Sequence, residues 1–367
     1  MGTTVTSAKS PPAIAVIGAT GAVGREMVSE LSDSDIIAQY GDELHIGLFA
    51  SERSAGEQLN YKGQSLTVEI FQPNKLVNYD YVLMSAGGTF SKTYSPQLKE
   101  MGIWVIDNSS AFRMDADVPL VVPEVNPQVL LNIDKTSGGI IANPNCSTIQ
   151  LVVNLAPLER LFGIEQVIVS TYQSVSGAGW KGIQTLSKEV ASFDDKEPIR
   201  ECNGVFALPI AFNLVADIGG EGEDGHTSEE MKMVFETQKI LSRKDLSVMA
   251  TTVRVPVYYG HGQTLVCKLK RPVSTAEVVA SLKDAAGVEL CGARYHDTEL
   301  PKDKHYLSQL TSPRGVHGRT TTQISRIRLG QATASTNEWV QMWNVADNLK
   351  KGAATNAVQI LEHVLKA

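Results

Sequence analysis

The sequence predicts an α/β fold in which a doubly wound parallel sheet is followed by an α+β domain. Three observations carry that expectation. Short apolar runs alternate with helical stretches over the first part of the chain. A turn with three glycines joins the first run to the first helix, and beyond Asn145 the strand-like segments are spaced by longer loops. At 367 residues, 43% hydrophobic and 20% charged, the chain has the balance of a globular protein and enough length for two cores.

Taken in order, residues 1–12 read as a short arm that lacks the charged start and apolar centre of a secretory signal. Residues 13–17 read as a buried parallel strand, 18–24 as a tight turn and 25–31 as a helix. Strands are expected at 44–50, 81–85 and 104–106, with a helical stretch at 96–101. The second part predicts strands at 167–173, 247–256 and 264–271, a surface loop at 223–226 and a helix over 229–241. Residues 347–365 read as an amphipathic helix.

A net charge of -7 supplies no uniform positive field for a phosphodiester backbone, so nucleic acid is not an expected partner. No apolar run is long enough to span a bilayer, and the expected location is the cytoplasm. The four cysteines, Cys146, Cys202, Cys267 and Cys291, form no CxxC pair and no Cys/His cluster, so neither disulfides nor a metal site is expected.

Gly18, Gly21 and Gly24 stand at three-residue spacing between a strand and a helix. Backbone can there approach a pyrophosphate and helix N–H groups can face it. That context makes the first domain Rossmann-type and favours a dinucleotide over a bare βα turn. The strand ending at Ala50 is followed by Ser51, Glu52, Arg53 and Ser54 where an NAD site would place a carboxylate. Hydroxyls and a guanidinium suit a 2′-phosphate, which favours NADP(H); the alternative puts Glu52 on the ribose and leaves Arg53 a solvated surface charge.

Cys146 follows Pro144 and Asn145 at the start of the apolar run 149–155, read as a helix. Exposed N–H groups at a helix N-terminus stabilise a thiolate, so the thiol is expected to ionise easily and to act as nucleophile. The other three cysteines read as packed thiols. His261 lies on a glycine-flanked loop, but spacing alone does not separate it from His226, His296, His305 or His317.

Nearly the full chain resembles the aspartate-semialdehyde dehydrogenase family. The resemblance is carried by GATGAVG at 18–24, SERSAG at 51–56, DNSSAFR at 107–113, NPNCSTIQ at 143–150 and YQSVSGAG at 172–179. It continues in EEMK at 229–232, RVPV with GH over 254–261, and VADNLKKGAATNAVQI at 345–360. The family implies reduction of L-aspartyl 4-phosphate to L-aspartate 4-semialdehyde by NADPH, a step toward lysine, threonine, methionine and isoleucine. Cys146 would form the acyl-enzyme, His261 act as acid/base and Gln173 orient the thioacyl group. Arg254 would meet the substrate α-carboxylate, Glu229 its amino group, and Arg113 and Lys232 the phosphate. Gly18, Thr20, Gly21, Ala22, Val23, Gly24, Ser51, Arg53, Ser54, Ser85, Ala86, Gly87, Ser176, Gly177 and Asn348 match positions around the cofactor.

The family also implies an NADP-binding domain over 11–143, a catalytic and dimerisation domain over 144–342, and a helix over 343–367 that returns to the first. A homodimer or a dimer of dimers is expected. Two departures are visible: Gly262 and Gln263 stand where many relatives have serine then glutamate, and Val215 to Asp217 where a proline is common. The nearest rival is N-acetylglutamyl-phosphate reductase, whose acylated substrate nitrogen has no use for the Glu229 carboxylate. A glyceraldehyde-phosphate dehydrogenase lacks this motif set, and a non-catalytic NADPH-binding regulator has no use for Cys146, Gln173, Arg254 and His261 together.

Overall fold

The computed structural model describes residues 11–131, 133, 134, 137–194, 204–222, 224–291, 311–331 and 334–366. Most of the N-terminal arm, Cys202, Glu223, His296 and His305 lie outside the described residues.

Strands β1 (Ala13–Ile17), β2 (His45–Ala50), β3 (Gln58–Tyr61), β4 (Gln64–Ile70), β5 (Tyr81–Met84), β6 (Trp104–Asp107) and β7 (Gly139–Ala142) form one sheet. Its order is β3-β4-β2-β1-β5-β6-β7, parallel throughout except for the β3–β4 hairpin. The central strands are buried on both faces, which is why they read as continuous apolar runs. Helices α1 (Ala22–Asp33), α2 (Asp35–Ala38) and α3 (Gly88–Glu100) belong to this part. β1 has β2 on one side and β5 on the other, so the crevice beyond its C-terminal end is the topological switch point.

α1 starts three residues before its predicted start, because the turn closes within four residues: Gly21 N–H donates to Gly18 O at 3.0 Å. Gly18 has φ +79°, and a Cβ there would lie 2.3 Å from Ser85 O, while a Cβ on Gly24 would lie 2.1 Å from Gly18 O. No side chain fits at either position.

The second sheet has the order β11-β12-β13-β10-β8-β9. It comprises β8 (Ile164–Gln173), β9 (Ser247–Arg254), β10 (His261–Val273), β11 (Val288–Leu290), β12 (Thr322–Leu329) and β13 (Asn337–Ala346). α4 (Cys146–Phe162), α5 (Gly179–Ala191), α6 (Ser228–Ile240) and α7 (Thr275–Lys283) accompany it. β13 leaves this sheet into a π-helical turn, Lys350–Ala354, and then α8 (Thr355–Lys366). Ala357, Ile360, Leu361 and Val364 of α8 share the first sheet's core with Ile14, Val16 and Leu31. The predicted single helix over 347–365 is thus shorter and preceded by a π turn. Among the described residues no helix is long and apolar enough to cross a membrane.

Candidate active site

Cys146 is the first residue of α4, and Asn145 is its N-cap. Asn145 Oδ1 accepts from Ser147 N–H at 2.9 Å and Thr148 N–H at 3.2 Å, satisfying two of the helix's orphan donors. Cys146 is partly buried and lines a cavity. Burial pushes the thiol up to about 11, and Glu229 adds to the rise, while Arg254, Arg113 and the Ser147 N–H oppose it. The expectation of an easily ionised thiol is therefore corrected: the helix N-terminus helps, but desolvation wins.

His261 is the first residue of β10, not part of a loop, and is fully buried. Its Nε2 lies 3.4 Å from Cys146 Sγ, a juxtaposition across 115 residues that selects it among the described histidines. His226 is exposed, and His317 is half-exposed and stacked on Tyr259. Burial, then the nearby Arg254 charge, drives His261 down to about 3, against a smaller opposing pull from Glu229. Ser174 N–H donates to His261 Nδ1 at 3.0 Å, and Ser174 Oγ lies 3.1 Å from the same nitrogen. Asn348 Oδ1 accepts from Ser174 Oγ at 3.0 Å, Ser176 Oγ at 3.2 Å and Gly260 N–H at 2.9 Å.

Two carboxylates of α6 grip the residue before the cysteine. Glu229 Oε1 accepts from Asn145 Nδ2 at 2.8 Å and Gln173 Nε2 at 3.0 Å, and its Oε2 from Lys232 Nζ at 3.1 Å. Burial raises the Glu229 carboxyl, but Lys232 and the amides of Gln173 and Asn145 outweigh it and hold the group at about 2. Glu236, seven positions on, takes Asn145 N–H at 2.7 Å on one oxygen and Arg113 Nη1 at 3.0 Å on the other. Arg113 also donates to the carbonyls of Asn143 and Asn108 at 2.9 Å each. Arg254, at the end of β9, donates to Ser174 O at 2.7 Å.

These groups meet in a cavity of about 510 Å³. One wall carries Cys146, Gln173, Arg113, Glu229, Lys232 and Arg254; the other carries Gly21, Ala22, Val23, Ser85 and Gly87 at the switch point of the first sheet. The N-terminus of α1 has no side-chain cap, so its N–H groups stay available to an anion. Gly18 and Ala19 N–H both donate to Phe49 O, tying the glycine turn to the end of β2. The turn of Ser51, Arg53 and Ser54 follows directly, with Arg53 exposed, outside the cavity itself. The residues present fit a dinucleotide laid from that turn toward Cys146. Among the described residues no group of three or more His, Cys, Asp or Glu is placed to hold a metal.

Comparison with known proteins follows the same division. Residues 13–133 match the semialdehyde dehydrogenase NAD-binding domain, and residues 155–351 match the semialdehyde dehydrogenase dimerisation domain. The chain is 42% identical to aspartate-semialdehyde dehydrogenase of Aquifex aeolicus over 96% of its own length and 98% of the relative's. With the Bacillus subtilis enzyme of that name it shares 40% identity over 96% and 97% of the two chains. The chain belongs to the aspartate-semialdehyde dehydrogenase family. Its fold is similar to aspartate semialdehyde dehydrogenase II of Vibrio cholerae complexed with ASA, with TM-score 0.83 and 38% identity over 98% and 99% of the chains. It is also similar to the Candida albicans enzyme with NADP, with TM-score 0.69 and 25% identity over 98% and 99% of the chains. The two reductase and regulator alternatives gain no support from these relatives.

Within this semialdehyde dehydrogenase, the cavity brings together Cys146, Gln173, Arg113, Glu229, Lys232, Arg254, Ser176, Gly177 and Asn348, with His261 reaching Cys146 from behind. Thr20, Gly24 and Ala86 shape the turns without lining it, and Glu229 and Lys232 pair with each other. Cys267 is fully buried with its thiol pushed up to about 12, and Cys291 is half-buried. Sequence reading missed Asn145, Ser174, Glu236 and Gly352. Asn145 carried a signal, an Asn directly before a helix; the others are positioned by tertiary contacts alone. A Cβ on Gly352 would sit 2.9 Å from Cys146 Cβ, so the π turn must be bare there. At the two departures, Gln263 Nε2 donates to Ser147 O at 2.8 Å, and Val215 exchanges both backbone hydrogen bonds with Arg254.

Proposed function

We propose that this chain reduces L-aspartyl 4-phosphate to L-aspartate 4-semialdehyde and phosphate with NADPH, through a thioester on Cys146. The observation that carries it is the 3.4 Å approach of Cys146 Sγ to His261 Nε2 in a cavity shared with the glycine turn. Bound NADPH supplies the hydride. Arg254 orients the α-carboxylate, Arg113 and Lys232 hold the phosphate, and ionised Glu229 faces the ammonium. Gln173, buried and bonded to Glu229, fixes the thioacyl carbonyl. Arg53, Ser51 and Ser54 take the 2′-phosphate, and the residues of the glycine turn take the pyrophosphate.

The domain division that goes with this reading is 11–143 for cofactor, 144–342 for catalysis and dimerisation, and 343–367 as the returning helix. Exposed Tyr172 and Met249, with half-buried Ile168 and Val266, give the second sheet an apolar outer patch that suits a homodimer or dimer of dimers. A free catalytic thiol needs reducing surroundings, so we take the cytoplasm as its compartment. The test is phosphate-dependent formation of NADPH from aspartate semialdehyde and NADP. Cys146→Ser should abolish it; activity that survives the substitution, or that needs no phosphate, would sink the reading.

A further inference from the structure

We infer that Lys239 is a positioning residue for phosphate: its ammonium holds the segment that presents Arg113, and so sets how tightly the site grips phosphate without touching it. This rests on the function proposed above and deepens it, since that reading gives the phosphate to Arg113.

Four charged residues of α6, Glu229, Lys232, Glu236 and Lys239, fall at helical spacing and so share one face of the helix. The first two line the active-site cavity, and Glu236 takes both Arg113 Nη1 and Asn145 N–H. Lys239 stands in the last turn, outside that cavity. Its Nζ donates to the carbonyls of Arg113, Asp115 and Val118 at 2.8 Å each. An ammonium has three protons to give, and here all three go to the backbone of one short segment. Three carbonyl dipoles aimed at one point repel one another, and a cation at that point turns the repulsion into attraction. Burial works against the charge on Lys239, while the nearby Asp115 and Glu236 carboxylates work for it.

The consequence falls on Arg113, because the clamp takes the carbonyl of that very residue. The segment it holds is irregular, with Asp115 N–H on Phe112 O at 3.1 Å and Val118 N–H on Asp115 O at 3.2 Å. The far end of Arg113 is bonded to Asn143 O, Asn108 O and Glu236, so Lys239 fixes the root of a side chain whose tip is fixed elsewhere. Arginine–phosphate bonds are directional, and a shift of the root by about an ångström misaligns the guanidinium. Without the ammonium the three carbonyls must find water, and the segment moves toward solvent. Arg254, Gln173 and the glycine turn are carried by β9, β8 and the β1–α1 connection, so what they bind should be little affected.

The test is the initial rate of NADPH formation by the full chain, with phosphate, aspartate semialdehyde and NADP varied in turn. Wild type is compared with Lys239→Met, which keeps an apolar stem and loses the charge. The KM for phosphate should rise about tenfold or more, while the other two KM values stay within about twofold. An unchanged phosphate KM, or an equal rise in all three, would overturn the inference, the equal rise being what a merely structural tie would give. In an Arg113→Gln background Lys239→Met should raise the phosphate KM by less than about twofold further, because its effect passes through Arg113. Effects that simply multiply would overturn it as well. Should the methionine variant not fold, Lys239→Gln, whose amide serves at most two of the carbonyls, is judged by the same outcomes. A wild-type rate that does not depend on phosphate would remove the proposed function and this inference with it, whereas the outcomes above remove the inference alone.

Discussion

Acidification from pH 7 to pH 5 should destabilise the fold by about 2 kcal/mol through His261 alone. The unfolded histidine titrates near 6.5 and the folded one at about 3, because burial and Arg254 disfavour the imidazolium. Between those values the unfolded chain binds the extra proton, so stability rises with pH across the window and falls on acidification. At pH 5 the unfolded ring is about 1.5 units below its midpoint, which gives the ~2 kcal/mol. Glu229, held at about 2, contributes stability that is present above the ordinary carboxylate range and is lost only as pH drops from about 4.5 toward 2. Cys146, raised to about 11, contributes stability that is lost only as pH climbs from 9 toward 11. Neither acts between pH 7 and 5. Urea titrations followed by tryptophan fluorescence at pH 7, 6 and 5 would measure the loss in the wild type and in His261→Gln, which keeps every other histidine. The wild type should lose about 2 kcal/mol more than the variant; equal losses would refute the reasoning.

Glu236→Gln removes the charge that neutralises Arg113, so unfolding free energy should fall by about 3 kcal/mol. Cys146 alkylation should at the same time become faster, because Arg113 then lowers the thiol without that counter-charge; a slower reaction would contradict the pairing. Gly177→Ala places a Cβ 2.7 Å from Arg254 Nη1 and 3.5 Å from His261 Nε2. Its kcat/KM should drop by roughly 5- to 150-fold, as overpacking of ~1–3 kcal/mol implies, and an unchanged value would show that Arg254 is free to move. Arg53→Ala should raise KM for NADP by about 10- to 100-fold and leave KM for NAD nearly unchanged. Equal effects on both cofactors would take the 2′-phosphate away from Arg53.

Much of the fold was legible because burial on both faces leaves a plain mark in composition. β1 matches its expected residues, 13–17, and β2, β5 and β6 match theirs within a residue. The predicted stretch 96–101 grew to α3 over Gly88–Glu100 because its first turns are rich in Ser and Thr. That helix buries hydroxyls, such as Ser91 bonded to Asp107, rather than an apolar stripe. β10 starts at His261 because its first residues pair on both sides, with β13 and β8, a tertiary fact that local pattern does not hold. At the site, Cys146 was legible from its place at a helix start. The choice of His261, the grip of Glu236 on both Arg113 and Asn145, and the hydrogen bonds at Ser174 join residues far apart in sequence. The raised thiol is likewise a property of the assembled pocket, since the burial that outweighs the helix N-terminus comes with packing against other elements.

The most direct measurement is to mix the chain with aspartate semialdehyde and NADP in the absence of phosphate, quench with acid, and locate the adduct by peptide mass spectrometry. An aspartyl thioester on Cys146, discharged when phosphate is added before the quench, is expected. NADPH formed with no acyl group on Cys146, or an adduct on another residue, would contradict covalent catalysis at this sulfur.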